Sequence, residues 1–287
     1  MWKSVIIIFC ACWLTACTDA ADGNETISPQ MVVEGWIEDG GFPVVILTRS
    51  FPISSSFQKL DSLSNHIVRW AKVTISDGEN SYVLTGKYDK GYFPPYIYTT
   101  GRMRGKAGKT YTLTAEYRDM NATASTRIPS PPDNCSFRVE KCAGSDSLFQ
   151  IIARFVDEPN EKNYYQFFTR VGTESRQYLA SYLGSIDDEV LKGESVVSVY
   201  RGHQYDEKDY SPYYKLDDTV SVKFAQVDET SYRIWDSYTK LLTLSENMFL
   251  STSSNIETNI IGGLSGFGSS FGVSAGVSLA GCSSAFG

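Results

Sequence analysis

Apolar and polar positions alternate with a period of two along most of the chain, in short runs separated by turns bearing Gly, Asn or Asp. That period is the signature of strands with one buried face. Met31-Val32-Val33-Glu34-Gly35-Trp36-Ile37 and Val44-Val45-Ile46-Leu47-Thr48 flank Glu38-Asp39-Gly40-Gly41, a hairpin signal. Ala71-Lys72-Val73-Thr74-Ile75-Ser76 and Ser81-Tyr82-Val83-Leu84-Thr85 flank a second turn, which starts at Asp77-Gly78. Thr110 to Tyr117 alternates cleanly and pairs with residues 123–128 across a turn at 119–121. Strands recurring at this spacing predict an antiparallel sandwich of immunoglobulin-like type over 31–129. Pro129, Pro131 and Pro132 cannot continue a central strand, so residues 130–133 are expected to link two regions.

The second region, 134–287, repeats the β pattern at 135–139, 149–155, 164–170, 196–200 and 219–225. One segment departs from it. From about 229 to 244, Ile234, Tyr238 and Leu241, with Trp235 and Leu242, recur at helical spacing behind Asp228, an N-cap residue. This amphipathic helix is expected to pack on the sheet. In the tail, Phe271, Val273, Ala275, Val277 and Leu279 alternate with Gly and Ser, which predicts a strand able to pair with an early one. The fold class is therefore all-β, with one helix in the second region.

The N-terminus follows neither period. Lys3, an apolar run over 5–14 and Leu14-Thr15-Ala16-Cys17 form a secretory signal with a lipobox. Cleavage would remove residues 1–16 and leave Cys17 as the lipidated first residue. Residues 17–30 are polar and acidic and are expected to serve as a tether. The mature chain carries 25 Lys and Arg against 33 Asp and Glu. No basic cluster offers a phosphate-binding face, so nucleic acid is not an expected partner. Of six Cys, three precede residue 18. In an exported protein Cys135 and Cys142 could bridge across a hairpin or remain two free thiols, and Cys282 has no evident mate.

Candidate chemistry is sparse. His66 and His203 are the only imidazoles, no Gly-x-Ser-x-Gly elbow accompanies them, and zinc lacks ligands; no cofactor or metal is expected. Carboxylates gather at Asp187-Asp188-Glu189, around Asp206 and at Asp217-Asp218. Calcium chelation or glycoside hydrolysis would need geometry that spacing does not show, and solvated turns are the default. More suggestive is the aromatic loop Gly91-Tyr92-Phe93-Pro94-Pro95-Tyr96-Ile97-Tyr98. Rings held by prolines suit a partner surface or a sugar platform, with Tyr92, Phe93, Tyr96 and Tyr98 as contacts; a hairpin tip folded on its own sandwich is the competing reading. Tyr205, Tyr210, Tyr213 and Tyr214 form a second such group.

Several stretches together resemble a family of Bacteroidota outer-membrane lipoproteins that share a domain of unknown function. They are the lipobox, Val32 to Gly40, Val73 to Gly78, Gly108-Lys109-Thr110-Tyr111-Thr112-Leu113-Thr114, Ile128-Pro129, Asp187-Asp188, Val220 to Phe224, and Asn259 to Gly268. The acids after Cys17 also resemble a surface-export signal of such proteins. Because family members are typically encoded beside TonB-dependent receptors, the resemblance implies a non-enzymatic accessory role at the cell surface, in ligand capture or uptake. It carries over no catalytic residue. A surface protein that binds a glycan or other ligand on its own is the alternative.

Overall fold

The computed structural model describes residues 29–50, 65–130, 135–157, 161–172, 178–191, 193–203, 209–245 and 257–278; at 190, 241–245 and 264–278 it describes the backbone alone. The expected signal peptide, Cys17, the expected tether up to residue 28, most of the expected proline linker and Cys282 lie outside the described residues. The chain is all-β. Its first strands are β1 (Met31–Glu38), β2 (Val44–Arg49), β3 (Lys72–Ser76), β4 (Ser81–Tyr88), β5 (Tyr96–Thr99), β6 (Thr110–Tyr117) and β7 (Met120–Arg127). Then come β8 (Ser136–Lys141), β9 (Leu148–Val156), β10 (Tyr164–Val171), β11 (Leu179–Asp187), β12 (Glu194–Val199), β13 (Tyr214–Lys215) and β14 (Thr219–Val227). Helix α1 (Glu229–Ser245) and a long β15 (Leu264–Ser278) complete the order.

One eleven-stranded sheet runs β11-β10-β14-β15-β1-β2-β5-β4-β3-β6-β7 and so passes through both regions. The sandwich of the first region takes the form of two leaves, β1-β2 and β4-β3-β6-β7, joined by short β5. Val44 and Val45 of β2 pair with β5, and β5 pairs in turn with the end of β4. An immunoglobulin sandwich keeps its two sheets apart; here β5 links them into one hydrogen-bonded path. Alternation supplies the core. Met31, Val33 and Ile37 of β1 point inward to meet Val73, Ile75, Tyr111, Leu113 and Ala124 from the opposite leaf.

The path curls back on itself near its far end. Ile261 exchanges two backbone hydrogen bonds with Thr123 of β7, at 3.0 and 2.8 Å, just before the chain enters β15 beside β1. Gly262 turns the backbone there at φ +83°, and a Cβ on it would press into the Asn121 carbonyl oxygen. Only glycine fits that combination without strain.

The tail strand expected from sequence is β15, and it does pair with an early strand. Residues 264–270 run parallel to β1, while 270–278 run antiparallel to β14. The same strand therefore belongs to the first core by one half and to the second by the other.

In that second core, the sheet of β8, β9, β12 and β13 faces β10 and β14. Phe155, Tyr165, Phe167 and Phe224 fill it, with ring centroids 4.6–5.3 Å apart along Phe155–Phe224, Phe167–Phe224, Phe155–Tyr165 and Tyr165–Phe224. Such pairs add about 0.5–1.5 kcal/mol each beyond their buried area.

Helix α1 packs on the opposite face of the large sheet. Trp235 meets Phe168 edge-on at 5.1 Å and Tyr232 stacks on Tyr164 at 4.9 Å, so the amphipathic face lies against strands as expected. Asp228 caps it: Oδ1 accepts the Ser231 N–H at 2.8 Å. The other oxygen, Oδ2, accepts the Thr126 hydroxyl of β7 at 2.6 Å, across the junction between the two cores. No helix among the described residues is long and apolar enough to cross a membrane.

Candidate functional site

The structure disperses the four aromatic residues of the proline loop. Tyr98 is an inward residue of β5, 2 % exposed, with its hydroxyl donating to the Val68 carbonyl at 2.8 Å. It belongs to the core and cannot meet a ligand. Tyr96 lies over Gly86 and donates to the Arg69 carbonyl at 3.1 Å. Tyr92 folds back against Trp36, 5.8 Å between centroids, beside Val44, Ile46 and Ile97. Of the four, Phe93 is the one classed as exposed. Loop-internal bonds explain the compactness: Asp89 Oδ1 accepts from Gly91, and the Pro95 carbonyl accepts the Asp89 N–H.

Of the two alternatives open for Cys135 and Cys142, a bridge or two free thiols, the structure has the free thiols. They flank β8 at its opposite ends, about 23 Å apart at ~3.3 Å per residue, whereas a bridge needs Cα atoms within ~7 Å. Burial pushes the Cys135 thiol up to about 12.

The acidic triplet is a structural clamp. Lys162 Nζ lies 2.8 Å from Asp188 and 3.0 Å from Glu189, and also contacts Asp187. Asp188 Oδ2 accepts the Asn163 N–H at 2.7 Å. An ammonium thus occupies the cradle that a hard cation would need. Asp218 accepts the Lys215 N–H at 2.8 Å and shapes a turn; Asp206 and Glu207 lie outside the described residues. Among the described residues no group of three His, Cys, Asp or Glu could hold a metal.

The second aromatic group is where side chains do converge. It forms on a bulge in β11, an edge strand. Gln166 pairs with Ser185, but Phe168 pairs with Ala180, so residues 181–184 stand opposite Phe167 alone. Buried polar groups hold this excursion. Gln166, 0 % exposed, donates to the Phe167 carbonyl at 2.7 Å and accepts the Ser185 hydroxyl at 2.5 Å. Ser181 donates to the Tyr200 carbonyl at 2.7 Å, and Thr169 Oγ1 accepts the Gly202 N–H at 2.8 Å. Gly202 sits so close to β11 that a Cβ would meet Leu179 and the Ala180 carbonyl.

The bulge thereby draws the edge of one sheet onto the end of β12 in the other. Leu183 is left 61 % exposed at φ +54°, a conformation bulky residues seldom hold. Around the seam, Tyr182 lies 6.1 Å from Tyr200 and 6.2 Å from Tyr210, and Tyr200 lies 6.2 Å from Tyr213. His203 tilts against Tyr210 at 4.4 Å, and the Arg201 guanidinium lies over the same ring at 5.1 Å. The hydroxyls of Tyr182, Tyr200 and Tyr213 take no partner among the described residues. Such a surface can stack on a ring or anchor a protein.

Sequence reasoning found Tyr210 and Tyr213 but missed Tyr182, Tyr200 and Leu183. Tyr205 lies outside the described residues, and Tyr214 is fully buried, its hydroxyl donating to the Val199 carbonyl at 3.1 Å. The missing signal was the bulge itself, since four residues of β11 stand opposite a single residue of β10 and break its alternation.

Comparison with curated proteins finds no match. Residues 20–273 match the family described as a domain of unknown function, DUF4249, a span covering every strand and helix above up to the middle of β15. The chain belongs to that family.

Proposed function

We propose that this protein is a non-enzymatic lipoprotein, anchored through Cys17 in the outer membrane and facing the cell surface, that serves as an accessory subunit of a TonB-dependent receptor. The observation that carries a binding role is the tyrosine seam. Rigid aromatic groups around an exposed leucine, supported by buried hydrogen bonds, have the character of an interface hot spot. The class of partner rests on the resemblance to lipoproteins encoded beside such receptors. Affinity purification of the tagged protein from gently solubilised outer membranes tests it. A stoichiometric receptor should co-purify with the wild type, and Tyr182→Ala with Leu183→Ala should weaken its recovery. Recovery of the lipoprotein alone would sink the proposal.

A second reading is a stand-alone glycan-binding protein, favoured by three tyrosine hydroxyls beside the ring faces that take no partner among the described residues. Binding on a glycan array that is lost in Tyr200→Ala and Tyr213→Ala supports it, and an empty array counts against it.

A further inference from the structure

Strand directions bring an unexpected set of side chains to one end of the first core. β1 begins there, because Met31 pairs with Arg49, the last residue of β2. The β4–β5 turn lies at the same end, since β5 is antiparallel to β2 and its start faces the end of β2. Residues 67–70 arrive there as well: Ile67 bridges Thr48, and the Val68 N–H donates to the Leu47 carbonyl at 2.9 Å. β3 leaves from this end, and because Lys72 pairs with Glu116, the β6–β7 turn at Arg118 and Asp119 joins the set.

At this end Trp70 is 86 % exposed, Tyr88 65 % and Phe93 45 %. Arg69, Lys87, Lys90 and Arg118 are exposed, and Arg49 is half-buried. The described acids of the same turns are Asp89, which lies 3.6 Å from Lys87, and Asp119. A basic, aromatic tip thus stands on a chain whose net charge is −7. The thirteen residues between Cys17 and Met31 join the chain at this same end and can span at most about 45 Å.

We propose that this tip is a bilayer-contact surface: Trp70, Tyr88 and Phe93 enter the headgroup region of an anionic leaflet while the surrounding Arg and Lys meet its phosphates. Tryptophan and tyrosine favour that layer because an apolar ring and a polar edge are both satisfied there. Basic residues near an anionic surface add attraction that falls off within a Debye length. A lipid on Cys17 would hold the tip within reach, so a weak contact suffices. Orientation follows. From Leu264 at the tip, β15 runs to Val273, level with Phe224 and Phe167, where the tyrosine bulge lies. Nine residues of strand hold the seam about 30 Å from the bilayer.

The test uses the purified lipidated protein in vesicles of phosphatidylcholine and phosphatidylglycerol with brominated acyl chains. Tryptophan emission should be quenched relative to plain vesicles, less so without phosphatidylglycerol or in high salt. Trp70→Ala should remove at least about half of the quenchable signal. Trp70 is exposed, so its replacement should leave the urea midpoint unchanged. Lys87→Gln with Lys90→Gln keeps Trp70 as reporter and should lower quenching. Equal emission in brominated and plain vesicles, or quenching retained in Trp70→Ala, overturns the proposal. Protection of Trp70 by a second copy or a protein partner without lipid also overturns it. No receptor is present in this assay, so its outcome is independent of the accessory role.

Discussion

Replacing Asp228 isolates the link between the two cores. Its carboxylate does two jobs with two oxygens: Oδ1 caps α1 at Ser231, and Oδ2 accepts the hydroxyl of Thr126, itself 3 % exposed, with the Arg127 N–H further off at 3.3 Å. Losing an N-cap to alanine costs about 1 kcal/mol. Losing a hydrogen bond to a charged acceptor, and leaving a buried hydroxyl unpaired, costs about 1.5–3 kcal/mol. Asp228→Ala should therefore destabilise the protein by about 2–4 kcal/mol. Asp228→Ser separates the two jobs, because serine caps well but is too short to reach Thr126. It should lose about 1.5–3 kcal/mol. Urea unfolding with linear extrapolation measures both. A double-mutant cycle with Thr126→Val should show a coupling of about 1–2 kcal/mol. A serine variant as stable as wild type, with coupling under about 0.5 kcal/mol, would mean that the contact between β7 and α1 contributes nothing to joining the cores.

Three further outcomes are expected. Gly262→Ala should cost more than Gly78→Ala in urea unfolding: both glycines have positive φ, worth about 1–2 kcal/mol, but a Cβ at Gly78 meets nothing within 4 Å whereas one at Gly262 strikes the Asn121 carbonyl; equal losses would refute the close approach. Burial raises the Asp187 carboxyl, but Lys162 and the Glu189 N–H outweigh it and hold the group below its ordinary value. Its contribution is thus present above the unfolded carboxylate range, near pH 4, and fades as pH falls through the lower folded value; Asp187→Asn should flatten the acid side of the stability profile, read as urea midpoints from pH 2 to 6. With its thiol pushed up to about 12, Cys135 should resist iodoacetamide at pH 8 in the native protein and react readily in urea, as site-resolved mass spectrometry would show.

The elements that were legible in the sequence are those whose cause is local. Gly40 takes φ +68° at the first hairpin, and Asp77 Oδ1 accepts the N–H groups of Glu79 and Asn80 at 3.1 and 2.8 Å in the second, as their Gly-containing turns imply. The helix begins after Asp228 because an aspartate precedes a 3.6-residue period. Tyr96 and Tyr98 were misplaced because β5 is only Tyr96–Thr99, too short for alternation to stand out beside two prolines. β11 escaped notice because its bulge interrupts the period. Trp70 immediately precedes an alternating run and looks like its first member, yet pairing places it on an open end. The side-chain tie between the cores was not legible: Thr126 and Asp228 lie 102 residues apart, and nothing local in either marks the other.

The glycine-rich tail couples these features mechanically. Each half of β15 has its own partner strand, so the two cores cannot separate without stripping one half of its backbone bonds. Lys223 of β14 reaches Glu38 of β1 at 2.5 Å, spanning register positions where β15 carries Ser270, Gly272 and Ser274. The Asp228 contact adds a third tie on the β7 side. A tether alone would let the tyrosine seam sample a shell tens of ångströms deep, since thirteen residues reach about 45 Å. On the bilayer contact proposed above, the tied cores would confine the seam to one height and one face, which would raise its effective concentration toward a partner in the same membrane without any new contact.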